Sequence, residues 1–367
     1  MSPVRVGIVG MKSRPAGLSE DQLSRVPGLW AGNAHLPSLL YMPQDYEVVA
    51  VCNSSIESAN KAIETFGLKE SVKAYANPDD LSNDPNIDLV VISVNVGKHL
   101  ELAKPALLKK KDLTRLAQSA GVRTSVGVQA RADPLIVKVK EIVESGQIGQ
   151  VRNSSALIGS SLLPGSAWAE GGEYYLNWKS GGNEFIIFIG HFLDSFIHVL
   201  GDFAEIQAIM KSAITEIPIV NRKGEVVNPA YHKTAPEHVL IQGILESGAL
   251  ASISSRKSKN EVDDVSFRWI ISGTEGEIEI LVPQFSWQMG HPARTLKLRV
   301  GTNDAENVDF IGKDKFESNV PVLAANVARQ YAALAKGDTN AFADFGSALR
   351  THVLLDRITQ AAGWERV

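Results

Sequence analysis

The sequence predicts an α/β protein in two parts: an N-terminal doubly wound parallel sheet, then a C-terminal α+β domain with a large, mainly antiparallel open sheet. Three observations carry this. Short apolar, β-branched runs alternate with helical patterns over the first third of the chain. Beyond Asp133 the texture changes to longer strand-like segments joined by hairpin signals. A length of 367 residues exceeds what one hydrophobic core usually serves. The expected division is residues 1–131 and 132–367.

In the first part, Val4–Gly10 (VRVGIVG), Glu47–Asn53 (EVVAVCN) and Asp88–Val94 (DLVVISV) are near-continuous apolar runs of strand length, as in parallel strands covered on both faces. Ser55–Phe66 and Lys98–Lys110 lie between and after them with helical spacing, so the connections read as right-handed crossovers. A weaker strand, Lys73–Tyr75, precedes a turn at Asn77–Pro78. Arg123–Gln129 (RTSVGVQ) is expected to close the unit as a strand beside Asp88–Val94, giving a sheet of about five strands. Leu100–Ala120 would then be one long or kinked helix. This alternation is that of a Rossmann unit, which binds a dinucleotide at the carboxyl ends of its strands.

In the second part a helix, Pro134–Ser145, ends at Gly146. Strands are expected at Val151–Ile158, Ala204–Met210, Val239–Leu245, Ala249–Ser255, Phe267–Ser272 and Glu277–Val282, with hairpins at Glu246-Ser247-Gly248 and Gly273–Gly276. The stretch Phe185–Leu200 carries His191, Asp194 and His198, and it is shorter than the ~20 residues of a spanning helix. Phe188–Leu200 therefore reads as a buried helix packed on the sheet. Helical patterning returns from Val320.

Composition excludes several classes of function. With 44% hydrophobic and 21% charged residues the chain can bury substantial cores, and a net charge of −4 leaves no basic footprint for direct nucleic-acid binding. The single cysteine, Cys52, excludes an intramolecular disulfide or a thiolate metal cluster and fits a reducing compartment. The amino terminus runs straight into a strand without a secretory pattern. A cytoplasmic protein with no membrane partner is expected. The eight histidines show no paired ligand spacing, no HExxH motif occurs, and no GxSxG elbow is present, so neither metal nor nucleophilic catalysis is indicated.

The candidate cofactor residues cluster at strand ends. Gly10, followed by Met11 and Lys12, ends the first strand where a fingerprint of three glycines usually meets the pyrophosphate. The segment KSRPAGLSEDQLSRVPG then intervenes before Trp30, Gly32 and His35 open the helix. The second strand ends in Asn53-Ser54-Ser55, without the acid that usually holds the ribose 2′-hydroxyl of NAD, which tilts the choice between NAD and NADP toward NADP. Alternatively, Ser54 or Ser55 caps the next helix. Val94, Asn95 and Gln129 complete the set at later strand ends. His99 has two readings: a group near the nicotinamide, or a first-turn residue facing solvent.

Together VRVGIVG, WAGNAHLPSL, YEVVAVCNSS, DLVVISV, HLELAKPALL, VRTSVGVQAR, GGNEFIIFIGHFLDSFIHVLG and FRWIISGTEGEIEI resemble the Gfo/Idh/MocA (glucose-fructose oxidoreductase and inositol dehydrogenase) family, in particular its fungal branch that includes the yeast galactose-pathway repressor. The resemblance covers nearly the whole chain. It implies a Rossmann domain, an open-sheet second domain through which family members associate as homodimers, and a catalytic Lys, Asp and His. The family lysine lies in a Glu-Lys-Pro turn, and the Asp and His in the pattern Asp-x-Gly-x-His-x-x-Asp.

His191 matches the family histidine and Asp194 the trailing acid, but Ile187 occupies the catalytic Asp position. The Glu-Lys-Pro turn and its strand are absent; Lys104-Pro105 falls too early, inside a helical segment. An insertion at residues 12–28 splits the phosphate loop. Two functions follow. In the first, hydride passes to or from a sugar- or polyol-like hydroxyl, with His191 as acid/base and Asp194 in support. Trp168, Tyr174, Tyr175, Trp178 and Lys179 would suit such a site, although such aromatics more often serve core or loop packing, such a lysine is more often solvated, and His191 equally suits a hydrogen-bonded core. In the second, the chain is a non-catalytic NAD(P)-binding sensor or transcriptional regulator with a protein partner, which places it in the nucleus as well. A first domain that binds no nucleotide is a third reading.

Overall fold

The computed structural model describes residues 2–15, 17, 28–99, 101–103, 117, 121–160, 167–257, 261–283, 287–312 and 314–364. In chain order the elements are β1 (Val4–Val9), α1 (Leu36–Leu40), β2 (Tyr46–Cys52), α2 (Ile56–Thr65), β3 (Lys73–Tyr75), α3 (Pro78–Asn83) and β4 (Leu89–Ile92). They continue with α4 (Pro134–Glu144), β5 (Val151–Ser160), β6 (Trp168–Ala169), α5 (Gly190–Leu200), β7 (Phe203–Lys211), β8 (Glu216–Val220), β9 (Val226–His232), β10 (His238–Leu245) and β11 (Leu250–Lys257). Then follow β12 (Phe267–Gly273), β13 (Gly276–Val282), β14 (Thr295–Val300), β15 (Glu306–Asn307), α6 (Val322–Lys336) and α7 (Phe345–Ala361). Contacts divide the chain into two compact units, Met1–Gly127 with Lys315–Gly346, and Val128–Asp314 with Ser347–Val367.

The first unit is built on a parallel sheet of order β3-β2-β1-β4. Val6 and Ile8 are fully buried, as near-continuous apolar strands require, and they share a core with Ala31, Ala34, Leu39, Val48 and Val51. Helix α6 supplies Ala324, Ala325, Val327 and Ala328 to the same core. Small residues on that face let the helix approach closely.

The expected strand Arg123–Gln129 is not formed, so this sheet has four strands among the described residues rather than about five. The segment is held by the end of the chain instead. Val126 makes an isolated antiparallel bridge to Ala343, and Gln330 donates to Ser125 Oγ at 2.6 Å and to the Val126 carbonyl at 2.8 Å. Thr124 Oγ1 accepts from the Phe345 amide at 3.1 Å. Its alternating pattern gives a half-buried extended segment whose partners are residues 330–345, not β4. Most of the expected helix Leu100–Ala120, with Lys104-Pro105, lies outside the described residues, as does most of the insertion at 12–28.

The second unit carries an eight-stranded sheet of order β15-β14-β13-β12-β5-β11-β10-β7, antiparallel except where β5 and β11 run parallel. The two expected hairpins are β10–β11 and β12–β13. One face is covered: Ile136 and Val139 of α4, Phe192 and Phe196 of α5, and Leu354 and Ile358 of α7 pack with Ile253, Trp269 and Ile280 of the strands. The other face is open, and across it Ile209, Leu240 and Leu157 lie in one row, 64%, 48% and 36% exposed. A small second sheet, β6-β8-β9, sits in the connection between β5 and β10.

The buried helix begins earlier than its pattern showed, as a π-helical turn over Phe185–Ile189 that runs into α5. Among the described residues no helix is long and apolar enough to cross a membrane.

Candidate functional site

In the first unit, β1 lies between β2 and β4 and parallel to both, so the loops after these three strands share one rim. The Gly10 amide donates to the Cys52 carbonyl at 2.9 Å, and the Ser93 amide donates to the Val9 carbonyl at 3.0 Å. Gly10 has φ +91°, and a Cβ there would stand 2.5 Å from both Ser93 O and Val94 Cγ1. Dihedral and space both demand glycine. Glycine here lets the end of β1 pack directly against the residues that follow β4, on the rim where a Rossmann unit meets a pyrophosphate.

Asn53 spends both amide hydrogens locally, donating to Met11 O at 2.9 Å and to Ser58 O at 3.1 Å. Ser55 caps α2 by accepting from the Ser58 amide at 3.1 Å, while Ser54 and Lys12 are exposed. Asn95 accepts from the Gly97 amide at 3.1 Å and starts a short 3₁₀ turn, and His99 Nε2 donates to the Val94 carbonyl at 2.9 Å. Gly10, Met11, Asn53, Ser54, Val94 and Asn95 therefore meet on one rim, with His99 folded back onto it.

Gly32 and His35 are placed differently. They lie in a π-helical turn, Ala31–His35, behind the half-buried Trp30. A Cβ on Gly32 would come within 2.3 Å of the Phe66 ring, so this glycine admits the end of α2. His35 Nδ1 is 2.8 Å from the Tyr331 hydroxyl of α6, and burial pulls its pKa down to about 4.

In the second unit the carboxylate of Asp194, fully buried, receives Nε and Nη2 of Arg131 at 2.7 Å each and the Thr351 hydroxyl at 3.1 Å. The fork-on-carboxylate geometry offsets the cost of burying both charges. It also ties the 3₁₀ turn Gln129–Ala132 to α5. Arg131 and Thr351 carry no motif, and sequence reading missed both.

Gln129 is 3% exposed, with Oε1 unpartnered among the described residues. His191 Nδ1 is likewise buried and unpartnered among them. Burial lowers the His191 pKa and the charge of Asp194 pulls it back up, so the ring is neutral at neutral pH. In the π-helical turn the Gly190 amide reaches the Phe185 carbonyl, five residues back. The residue one turn before His191 is then Ile186 or Ile187, apolar either way.

Of the aromatic candidates, Trp178 is a core residue against Phe185 and Trp364, whereas Trp168 and Tyr175 stack at 5.7 Å with Tyr174 edge-on. Lys179 is exposed. Among the described residues no three His, Cys, Asp or Glu side chains are grouped to hold a metal.

Residues 26–126 match the oxidoreductase family described by its NAD-binding Rossmann fold, and residues 134–281 match the Gal80p C-terminal domain. The galactose/lactose metabolism regulatory protein GAL80 of Kluyveromyces lactis is 26% identical over 76% of this chain and 64% of its own length. The match thus spans just under two thirds of that relative. Dehydrogenase aclE of Aspergillus oryzae is 24% identical over 76% of this chain and 77% of its own. Among solved structures, a super-repressor mutant of Gal80p from Saccharomyces cerevisiae superposes with a TM-score of 0.80 at 19% identity, covering 99% of this chain and 96% of that one. Levoglucosan dehydrogenase in complex with NADH and L-sorbose superposes with a TM-score of 0.71 at 16% identity, covering 99% and 97%.

Proposed function

We propose that this chain, whose residues 26–126 match the NAD-binding Rossmann oxidoreductase family and whose residues 134–281 match the Gal80p C-terminal domain, binds NAD or NADP as a sensor or regulator rather than as a competent dehydrogenase. The rim around Gly10 would hold the dinucleotide. A bound nicotinamide would supply a hydride donor or acceptor.

One observation carries the non-catalytic reading: among the described residues no group meets His191 Nδ1 to set its tautomer. The preceding turn offers Ile186 and Ile187, and Asp194 is consumed by Arg131 and Thr351. A general base works when a second group orients it. A regulator of this kind would act through a protein partner, in cytoplasm and nucleus. It would dimerise through the open sheet face bearing Leu157, Ile209 and Leu240.

The enzyme reading has its own support. A neutral His191 can accept a proton, the Trp168–Tyr175 stack could bear a sugar or polyol, and one relative is named a dehydrogenase. Titration of the purified chain with NADH and NADPH, followed by a turnover assay over sugars and polyols, decides between them. Binding without turnover is expected; turnover abolished by His191→Ala would overturn the regulator reading.

A further inference from the structure

We propose that the small sheet β6-β8-β9 opens and closes as one body on the large sheet, with the buried carboxylate of Glu237 as its latch. The chain leaves the large sheet after Lys211 and returns at His238, and these residues are partners in the β7–β10 ladder. Pairing between the outgoing and returning arms resumes only at Glu216 and His232. Residues 212–215 and 233–237 lie between, unequal in length, so no regular register joins the arms at this neck. Backbone bonds cross it from Glu237 N to Lys211 O at 3.2 Å and from Lys233 N to Thr215 O at 2.8 Å.

Side chains supply the rest. The Glu237 carboxylate, on the returning arm, accepts from the Ala213 amide, from the Ile214 amide at 2.9 Å and from the Ser212 hydroxyl at 3.2 Å, all on the outgoing arm. Lys233 Nζ meets the same carboxylate and donates to Ser212 Oγ at 3.2 Å and to the Ala235 carbonyl. Both side chains are buried, Lys233 2% and Glu237 0% exposed. Burial pushes the Glu237 carboxyl up, but the bond and charge of Lys233 and the two amides outweigh it and hold the pKa below its ordinary value. The latch is charged at neutral pH.

Beyond the neck the module has a core of its own. Leu176, Ile217 and Ile219, flanked by Trp168, Ile214 and Tyr231, form a cluster separate from the one under the large sheet. A body with so small a core depends on its attachments to stay in place. The stacked Trp168 and Tyr175 ride on it. Across the seam is a second buried pair, Lys257 with Glu184 at 2.6 Å. The charges of Lys233 and Glu237 reach Lys257, and that of Glu184 reaches Tyr175. Opening the module parts the aromatic stack from Glu184 and lets water reach both pairs. This inference stands apart from the dinucleotide and catalytic readings.

The test is native-state hydrogen exchange of the full chain, read by mass spectrometry in rising sub-denaturing urea. In wild type, β8 and β9 should exchange through an opening of lower free energy and smaller urea dependence than β10 and β11. Glu237→Gln leaves Lys233 buried without its counter-charge. It should speed exchange in β8 and β9 about ten-fold or more and leave β10 and β11 within about two-fold. Glu216→Gln, which removes an exposed acid of β8, should change neither. A single common opening for all of these strands in wild type overturns the proposal, whether or not Glu237→Gln folds. Exchange in Glu237→Gln that is unchanged in β8 and β9, quickened equally in β10 and β11, or matched by Glu216→Gln overturns it as well.

Discussion

Substituting Asp194 by alanine tests whether the second unit depends on its buried ion pair. Asp194 is fully buried and the Arg131 side chain is 6% exposed, so the variant strands a guanidinium that water cannot reach. Three hydrogen bonds end on the lost carboxylate: two from Arg131 at 2.7 Å and one from Thr351 at 3.1 Å. Breaking a buried pair from one side costs about 3–5 kcal/mol. In a domain of about 200 residues each kcal/mol moves the melting temperature by about 2–4 °C, so a fall of about 6–20 °C is expected. Urea unfolding followed by the fluorescence of Trp269 and Trp287, both buried in this unit, reads the loss directly. The double variant Arg131→Met with Asp194→Leu should regain most of it, since an apolar pair leaves no charge unpaired. An Asp194→Ala protein within about 1 kcal/mol of wild type would refute the reasoning, because that is the worth of a solvated surface pair.

Three further outcomes are expected. Gly10→Ala, forced to positive φ against Ser93 O, should destabilise the first unit by at least about 2 kcal/mol and remove any melting-temperature rise given by NADPH. Ser55→Ala loses the cap of α2 and should cost about 1 kcal/mol in urea unfolding, with nucleotide affinity little changed. Burial holds His35 near pKa 4 against an ordinary value of 6.5, so the unfolded chain binds more protons between those values. The stability contributed by neutral His35 is complete above pH 6.5 and is lost as pH falls toward 4. Urea midpoints between pH 7 and pH 4.5 should decline less steeply in His35→Gln; equal slopes would show that the histidine is not the responsible group.

The parallel strands of the first unit were readable because Val6, Ile8, Val48 and Val51 are buried and so leave unbroken apolar runs. The strands of the large sheet were readable for a different reason: one face is open, so buried Ala251 and Ile253 alternate with Ser252 and Ser254. Arg123–Gln129 misled because alternation reports half-burial, not partner. What Ser125 and Val126 bond to lies some 200 residues away at Gln330. Strand β9 escaped notice because Pro229 and its exposed side chains give no burial pattern.

The rim residues were found because loop positions at strand ends follow from topology. Arg131 was not, since its meaning depends on Asp194, 63 positions later. The π-helical turn Phe185–Ile189 gave no signal, because hydrophobic residues on every side erase the period that would have shown the extra residue.

Helix α6, made near the end of the polypeptide, completes the core around β1 and β2 at its beginning. During synthesis the nascent parallel sheet must therefore wait, its Val6 and Leu39 surface uncovered, until residue 336 has left the ribosome. Cutting the gene after residue 127 to express the front unit by itself would yield a sheet lacking one wall, prone to clump, whereas joining residues 315–346 to it through a short linker should give a well-behaved miniature.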